Sequence, residues 1–308
     1  MLNRLNPIHN EALRIATGAF RSTPIEALLT EANSPSLEDH HKELCLRYLF
    51  RLQSNRDYNN LNVLDSQQDV LYFDRDTLPK PVGIRARNIV QSTTMTAEPI
   101  QELIIAVPPW TLPGIEVCYE GSPNMQTLTS THLRQIFLQH LCHHHYTNHI
   151  YTDGSRSEGG VGFAAVFPNS TIKGTLPPEA SIFSAELFAI KAALSKIETS
   201  EDQKWTIFSD SKSSLEAIEA YNPTHPIVKS IQLQINNLHG QGKTIVLCKV
   251  PAHVNITGNE KADQAAKLSI NLPGFHTTEL PFTDLCNSAK SIFKERRQHC
   301  WHDSNTKL

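Results

Sequence analysis

The sequence predicts an α/β fold, with a five-stranded mixed sheet of three antiparallel and two parallel strands and with helices on both faces. Two observations lead to this fold class. Three short runs with strand periodicity follow one another from residue 148, separated by turns. Helical and strand patterns then alternate to residue 270, which gives the order β-β-β-α-β-α-α-β-α. Strands joined by tight turns pair antiparallel, whereas strands joined through helices pair in parallel.

The three consecutive strands are short apolar runs. Residues 149–152 form the first, and residues 161–167, where large and small side chains alternate, form the second. Gly159 and Gly160 make the turn between them. Residues 170–175 complete the set as a hairpin-connected third strand.

Apolar side chains spaced by three and four residues predict the helices. In the first helix these are Phe183, Leu187, Ile190, Leu194 and Ile197. The remaining elements are a strand at 205–208, helices from about 213 and over 226–239, a strand at 244–250, and a last helix that opens with a capping box at 257–260 and ends near 270.

The flanks of this region have other characters. Residues 1–55 are expected to be helical, with a cap at Ser36 and a carboxylate at Asp39. Residues 56–147 are rich in proline, which predicts a partly extended linker with pieces such as residues 103–107. Residues 271–308 predict a C-terminal helical tail. Its basic residues, which suit either a packing helix or an auxiliary nucleic-acid contact, are Lys290, Lys294, Arg296 and Arg297.

Composition and charge exclude several classes of protein. The 308-residue chain has 28 basic and 31 acidic residues, so it is not an evenly basic nucleic-acid binder. No apolar run reaches the roughly 18–20 residues that span a bilayer, and the N-terminus lacks the apolar core of a signal peptide. Six scattered cysteines without a C-x-x-C pair indicate reduced thiols. We expect an intracellular protein without a membrane partner, in the cytoplasm or the nucleus, or a fragment of a larger protein.

Two patterns resemble ligand sites without predicting one. The glycines around Gly160 join two strands rather than a strand and a helix, which argues against nucleotide binding. Cys142 and the three histidines after it would place adjacent residues on one zinc ion, although sequence neighbours rarely point at one centre. No small-molecule cofactor is expected.

Four acidic residues stand where the predicted elements meet. Asp153 ends the first strand and Asp210 ends the fourth. Glu186 lies at the edge of the apolar face of the first helix, and Asp263 lies one turn inside the last helix. Strand ends and the helices packed on them converge at one edge of an α/β sheet, so the four acids are expected to lie close together. Their negative charges would then repel one another unless cations lay between them. Oxygen ligands suit Mg²⁺, and two such ions about 3.5–4 Å apart promote phosphodiester hydrolysis.

Together these positions resemble type 1 ribonuclease H over residues 148–270. Each motif is weak alone, and the specificity comes from all of them occurring in order. The motifs are Tyr151-Thr152-Asp153-Gly154-Ser155, Ser184-Ala185-Glu186-Leu187, Phe208-Ser209-Asp210-Ser211, Val250-Pro251-Ala252-His253 and Gly258-Asn259-Glu260-Lys261-Ala262-Asp263.

The resemblance implies a reaction and the residues that carry it out. The reaction is endonucleolytic hydrolysis of the RNA strand of an RNA/DNA hybrid, leaving 5′-phosphate and 3′-hydroxyl ends. His253 would be a mobile-loop histidine that helps proton transfer or product release, the plain alternative being a solvent-exposed loop residue. The implied catalytic ligands of two Mg²⁺ ions, for which Mn²⁺ would substitute, are Asp153, Glu186, Asp210 and Asp263.

The hybrid itself would be recognised by shape and by the RNA 2′-hydroxyl, with little base specificity. Ser211 has a competing role as a helix cap. The resemblance favours backbone and small-side-chain contacts, for which the candidates are Gly154, Ser155, Arg156, Ser184 and Ser211.

The flanks resemble the segments that follow the polymerase in Jockey- or R1-like non-LTR retrotransposons. The similar stretches are residues 5–10, 17–24 and 31–33, Pro108-Pro109-Trp110 and the tail around Trp301. This resemblance implies a partner, the polymerase part of the same reverse-transcriptase polyprotein.

One departure from the ribonuclease H pattern concerns hybrid binding. Some members insert a basic helix and loop that grips the hybrid, whereas only residues 220–225 separate two helices here. Two other hypotheses stay open: a hybrid-binding domain of a decayed retroelement without turnover, and an integrase-like DNA nuclease. The presence of all four acids and of His253 favours an active ribonuclease.

Overall fold

A computed structural model shows two compact units, Met1–Pro99 with Phe282–Leu308, and Ile100–Pro281. The described residues are 2–55, 80–93, 95–100, 115, 117–119, 128–143 and 148–305. The helices are α1 (Leu2–Thr17), α2 (Ile25–Glu31), α3 (Leu37–Ser54), α4 (Val82–Gln91), α5 (Ser130–His143), α6 (Ile182–Glu198), α7 (Lys212–Glu219), α8 (Pro226–Gly240), α9 (Thr257–Ser269) and α10 (Phe282–Asn305). The strands are β1 (Glu98–Pro99), β2 (Val117–Cys118), β3 (His149–Ser157), β4 (Gly160–Val166), β5 (Thr171–Leu176), β6 (Lys204–Ser209), β7 (Thr244–Lys249) and β8 (Glu279–Leu280).

The first unit is helical and has α3 at its centre. This helix buries Leu46, Leu49 and Phe50, and both α4 and α10 pack against it. Ser36 caps α3 by accepting a hydrogen bond from the Asp39 amide at 3.1 Å, which confirms the predicted cap. The predicted helical extensions at the two ends of the chain are therefore confirmed.

The second unit contains the predicted mixed sheet. Its strand order is β2-β7-β6-β3-β4-β5, with β3, β4 and β5 antiparallel and with β3, β6 and β7 parallel. The predicted order β-β-β-α-β-α-α-β-α is confirmed from β3 to α9. Strand-to-strand hairpins and helix crossovers dictate this mixture of pairings, as the sequence pattern indicated.

The sheet has one more strand than predicted. Val117 and Cys118 form β2, which pairs in parallel with Leu247 and Cys248 of β7. Two residues are too few to show strand periodicity in a sequence, so this strand was missed. Its pairing covers backbone groups that an edge strand would otherwise expose.

Residues 56–147 were predicted as a linker, but two stretches of this range are helical. Helix α4 belongs to the first unit and α5 to the second. In α5 the buried Leu133 and Phe137 are spaced by four residues, a helical signal that the linker interpretation, based on the prolines of this range, did not use. The extended piece predicted at 103–107 lies outside the described residues. The division of the chain into four predicted segments stays a prediction.

Glycines in β3 and β4 allow helices to lie close to both faces of the sheet. A Cβ at Gly154 would lie 2.7 Å from the Glu186 nitrogen of α6. A Cβ at Gly162 would collide with the Ser269 hydroxyl of α9. Gly154 pairs with Phe163, and Gly162 pairs with Ser155, so the two glycines stand on opposite faces. The predicted helices on both faces are confirmed.

One predicted cap is wrong. Residues 257–260 were expected to form a capping box, but α9 has Ile256 at its N-cap and no side-chain cap hydrogen bond. Ile256 is only 6% exposed, so apolar packing rather than a hydroxyl fixes the entry into this helix. Within the parts of the chain that the structure describes, no helix is both long and apolar enough to cross a membrane.

Candidate active site

The sheet register places two of the predicted acids side by side. Parallel pairing of β3 with β6 ends at Thr152 and Ser209, and Asp153 and Asp210 are the next residues. Because neighbouring strands lie about 4.7–4.9 Å apart, the two carboxylates meet where β6 ends. β3 itself continues to Ser157, paired with β4 alone, so the prediction that Asp153 ends its strand is wrong.

The third acid, Glu186, lies on α6, which can approach β3 closely because Gly154 has no side chain. A Cβ at this position would lie 2.7 Å from Glu186 N and 2.9 Å from Ala185 Cβ, distances that side chains essentially never adopt. The close approach buries Glu186 beside Asp153. One carboxylate oxygen from each of Asp153, Glu186 and Asp210 lies within 4.8 Å of the others. We call these three residues the carboxylate cluster.

Burial and mutual repulsion raise the pKa values within the carboxylate cluster. Burial is the main reason that the pKa of Asp153 rises to about 7, and the Asp210 charge raises it further. Burial, followed by the charges of Asp153 and Asp210, raises the pKa of Glu186 well above its ordinary value. The Gly154 amide donates to Asp153 Oδ1 at 2.8 Å, which stabilises the charged form but does not offset the burial. The charged cluster is therefore costly without a compensating cation.

The fourth predicted acid, Asp263, is not one of the three residues in the cluster. Its Oδ2 accepts a hydrogen bond from Lys267 Nζ at 2.7 Å, one turn further along α9. The Asp263 charge is still close enough to raise the pKa of Asp153. Asp263 therefore lies near the cluster with its carboxylate held by a surface lysine, and its role as a ligand stays a prediction.

Two polar residues at the site were given no role from the sequence. Asn259, which is 4% exposed, donates from Nδ2 to Asp210 Oδ2 at 3.1 Å. Its position four residues before Asp263 places both on one face of α9, a spacing that could have pointed to it. Lys249 ends β7, where burial and then Lys212 lower its pKa, while the Asp210 charge raises it. Its position at a strand end next to Asp210 was the available signal.

His253 lies in the loop between β7 and α9 and is exposed. Its backbone has a positive φ of 54°, and Asn255 has one of 60°, a region that side chains with a Cβ rarely adopt. Val254, which lies between them, and Ile256, which follows Asn255, are buried, at 4% and 6% exposure. The loop is thus anchored by apolar side chains and presents His253 to solvent. The predicted role of His253 stays a prediction.

The predicted substrate contacts differ in accessibility. Ser155 is half-buried and Arg156 is exposed. Ser184 is fully buried, and its amide donates to Ser181 Oγ in the cap of α6. Ser211 occupies the N-cap of α7 without a side-chain cap bond, and its hydroxyl donates to Ser214 Oγ at 2.8 Å. Contact of these four residues and of Gly154 with substrate stays a prediction.

The carboxylate cluster has the donor set that a divalent cation requires. All three side chains offer carboxylate oxygens, the donors that Mg²⁺ and Mn²⁺ prefer. Glu186 Oε2 is buried and has no hydrogen-bond partner among the described residues. A buried polar atom without a partner is costly, so this oxygen is suited to binding a cation. The cluster therefore fits a divalent metal.

The fold is an RNase H-like α/β fold. Its defining features are the strand order, the helices on both faces of the sheet, and the acids where β3, β6 and α6 meet. Residues 145–271 match the RNase H family model, which supports an RNase H domain in this part of the chain. Members of that family hydrolyse RNA in RNA/DNA hybrids and use divalent metals, and the match supports the same general activity here. No curated protein matches the chain.

Proposed function

We propose that the second unit cuts the RNA strand of RNA/DNA hybrids endonucleolytically, by a two-metal mechanism that leaves 5′-phosphate and 3′-hydroxyl ends. The observation that carries the proposal is the convergence of Asp153, Glu186 and Asp210 within 4.8 Å. Their convergence depends on the register between β3 and β6 and on the glycine contact with α6. The match of residues 145–271 to the RNase H family agrees with this chemistry.

The proposed ligands of two Mg²⁺ ions, with Mn²⁺ as substitute, are Asp153, Glu186, Asp210 and Asp263. Asp263 would join the other three by exchanging its hydrogen bond with Lys267 for the cation. The bound ions would supply Lewis-acid activation of water and stabilisation of the leaving oxygen. Asn259 holds the Asp210 carboxylate in place through its amide, and the exposed His253 is the candidate for moving a proton or releasing product.

Substrate contacts would surround the cluster. Ser155 and Arg156 extend beyond Asp153 along β3, and Ser211 follows Asp210 at the start of α7. Backbone and hydroxyl groups of this kind bind phosphates and 2′-hydroxyls without reading the base sequence. We therefore propose that the domain selects a hybrid by shape rather than by sequence.

We further propose that the chain is a segment of a non-LTR retrotransposon reverse-transcriptase polyprotein whose polymerase is the partner of the first unit. Helix α1 supports this, because Leu5, Ile8 and Ile15 are 45%, 67% and 77% exposed. Exposed apolar side chains at helical spacing are typical of a face that meets another protein. Sequencing the gene upstream of the Met1 codon tests the proposal: an in-frame polymerase region is expected, and a stop codon directly upstream would contradict it.

The central test is a cleavage assay with labelled RNA/DNA hybrid, double-stranded RNA and double-stranded DNA, in Mg²⁺ or in EDTA. We expect metal-dependent loss of the hybrid's RNA strand alone. Asp210→Asn should abolish cutting and preserve the fold because the two side chains are nearly isosteric. Asp202→Asn, at an exposed position before β6, is the matched control and should cut normally. Hybrid binding without cutting would instead indicate a binding domain, and DNA cutting an integrase-like nuclease.

A further inference from the structure

Helix α5 lies before residues 145–271, yet it contributes to the core beneath the carboxylate cluster. Leu133 and Phe137 of α5 are 2% and 1% exposed. They share one apolar cluster with side chains from β6, from β7 and from the loop after β7. The other buried members of that apolar cluster are Phe208, Cys248, Val250, Val254 and Ile256.

Three aromatic rings connect α5 with the strands that carry the acids. The Phe137 ring meets the Phe208 ring edge to face, with centroids 5.6 Å apart. Phe208 in turn stacks on Tyr151, with centroids 5.0 Å apart and planes inclined by 20°. Phe208 stands two residues before Asp210, and Tyr151 two residues before Asp153. We call Phe137, Phe208 and Tyr151 the ring stack. It packs against β3 and β6 next to the positions of Asp153 and Asp210.

The same stack supports α9 through Gly258. A Cβ at Gly258 would collide with the Tyr151 ring, so the first turn of α9 rests directly on that ring. Asn259, which donates to Asp210, is the next residue along α9. The position of Asn259 relative to Asp210 consequently depends on where the Tyr151 ring lies.

The loop that bears His253 is anchored in the same apolar cluster. Val254 and Ile256 are buried there, whereas His253 and Asn255 alternate with them and are exposed. The backbone turns through positive φ angles at His253 and Asn255, a region that histidine and asparagine adopt more readily than most residues with a Cβ. The buried Val254 and Ile256 anchor this part of the loop in the apolar cluster that α5 helps to form.

We propose that Phe137 is a positioning residue for the RNase H site, acting through the ring stack on Asp153 and Asp210 and through the apolar cluster on the His253 loop. The inference rests on the proposed function. It assigns an active-site role to a helix that precedes the residues matched by the RNase H family. A domain cut at residue 145 would keep every proposed ligand and lose the side chains beneath them.

The test compares Phe137→Ala, Phe137→Leu and the control Phe167→Ala in the full chain. Phe167 is a buried ring beside Trp205, at the end of the strands remote from the acids. Denaturant unfolding first establishes conditions in which each variant is folded. Under these conditions Phe137→Ala should lower kcat for hybrid cleavage about tenfold or more with little change in KM, since small displacements of catalytic groups cost that much. Phe137→Leu should recover part of the loss, and Phe167→Ala should keep the wild-type kcat.

Two further readouts separate positioning from general destabilisation. His253→Ala should lower kcat in the wild type but add little in Phe137→Ala, because the loop is already displaced. Mn²⁺ affinity, measured by calorimetry without substrate, should fall in Phe137→Ala and not in Phe167→Ala. The proposal would be overturned if the effects of Phe137→Ala and His253→Ala on kcat were fully additive and the Mn²⁺ affinity of Phe137→Ala were unchanged. If the wild type cuts no hybrid, the proposed function fails, and the Mn²⁺ comparison alone decides whether Phe137 positions the cluster.

Discussion

The two ends of helix α6 differ in how their charged groups are paired. At its C-terminal end, Lys243 Nζ donates to the carbonyl oxygens of Ile197, Glu198 and Ser200, at 2.5, 3.1 and 2.6 Å. Helix C-termini carry unsatisfied carbonyls and a partial negative charge, so this ammonium meets both needs. Near the N-terminal end, Glu186 is buried against two other acids, and one of its oxygens has no partner among the described residues.

The charge at the Lys243 end of α6 stabilises the fold, whereas the charges at the Glu186 end oppose it and suit a binding site. An arrangement selected only for stability would resemble the Lys243 end, where one ammonium meets three carbonyl oxygens. The carboxylate cluster retains repulsion that the fold has to overcome, which is typical of sites that bind a ligand of opposite charge. The predictions that follow test whether the two ends of α6 differ in this way, from the largest expected effect to the smallest.

The largest effect is expected for Glu186→Gln, which keeps the shape of the side chain and removes its charge. Hybrid cleavage should fall by about 10³-fold, because the proposed metal site would lose one of its carboxylates and the metal's contribution to the reaction would weaken. The same variant should unfold at a higher denaturant concentration than the wild type when no metal is present, since the repulsion is relieved. A variant that is both active and unchanged in stability would remove the distinction between the two ends.

The pH dependence of stability should follow the raised pKa values. In the metal-free folded protein, Asp153 keeps its proton up to a pKa of about 7, compared with an ordinary value of 3.8 in the unfolded chain. The folded state therefore binds more protons between these values, so the free energy of unfolding should decrease as pH rises through this range. The stabilising contribution is fully present below pH 4 and lost above pH 7, with a magnitude on the order of 4 kcal/mol.

Denaturant unfolding in EDTA at a series of pH values measures this contribution. Asp153→Asn should reduce the slope of the profile between pH 4 and pH 7 and leave the part that Glu186 contributes. Added Mg²⁺ should restore stability at pH 8 in the wild type. A wild-type profile equal to that of Asp153→Asn would contradict the assigned cause.

A smaller effect is expected for Gly154→Ala. The added Cβ would lie 2.7 Å from backbone nitrogen of α6, which cannot move as a flexible side chain can. Overpacking of this kind costs about 1–3 kcal/mol and should displace Glu186 from Asp153. Unfolding and cleavage assays should therefore both respond. Gly240→Ala is the control, because nothing lies within 4 Å of a Cβ at Gly240, and it should leave cleavage unchanged.

The smallest effect is expected at the other end of α6. Lys243→Met removes the ammonium that satisfies three carbonyl oxygens and keeps most of the apolar stem. The free energy of unfolding should fall by about 1–2 kcal/mol, the cost of leaving such acceptors without their donor. The rate of hybrid cleavage by the folded variant should not change. A loss of cleavage without a loss of stability would show that the two ends are not independent.

The fold was predictable because periodicity and connection length determine strand pairing. The turn at Gly159 and Gly160 predicted an antiparallel hairpin, and helix crossovers predicted parallel β6 and β7, as observed. Short or isolated signals were lost. β2 has two residues, and the helical spacing of Leu133 and Phe137 in α5 lies at the end of a proline-rich range.

The site was predictable to the extent that one strand register and one helix define it. The convergence of Asp153, Glu186 and Asp210 follows from motifs at the correct elements. The i,i+4 spacing of Asp263 and Lys267 on α9 allowed their ion pair to be predicted, but the spacing does not say whether the carboxylate meets that lysine or the cluster. The contact of Asn259 with Asp210 joins residues 49 positions apart, which only the packing of α9 against the sheet brings together.

The most direct test is X-ray diffraction from crystals of the chain soaked in Mn²⁺, with anomalous differences that locate the ions. Two peaks about 3.5–4 Å apart are expected among the oxygens of Asp153, Glu186 and Asp210, with the Asp263 carboxylate turned towards them from Lys267. Crystals that show no anomalous peak between these carboxylates, at a concentration that supports catalysis, would contradict a metal-binding role for the cluster.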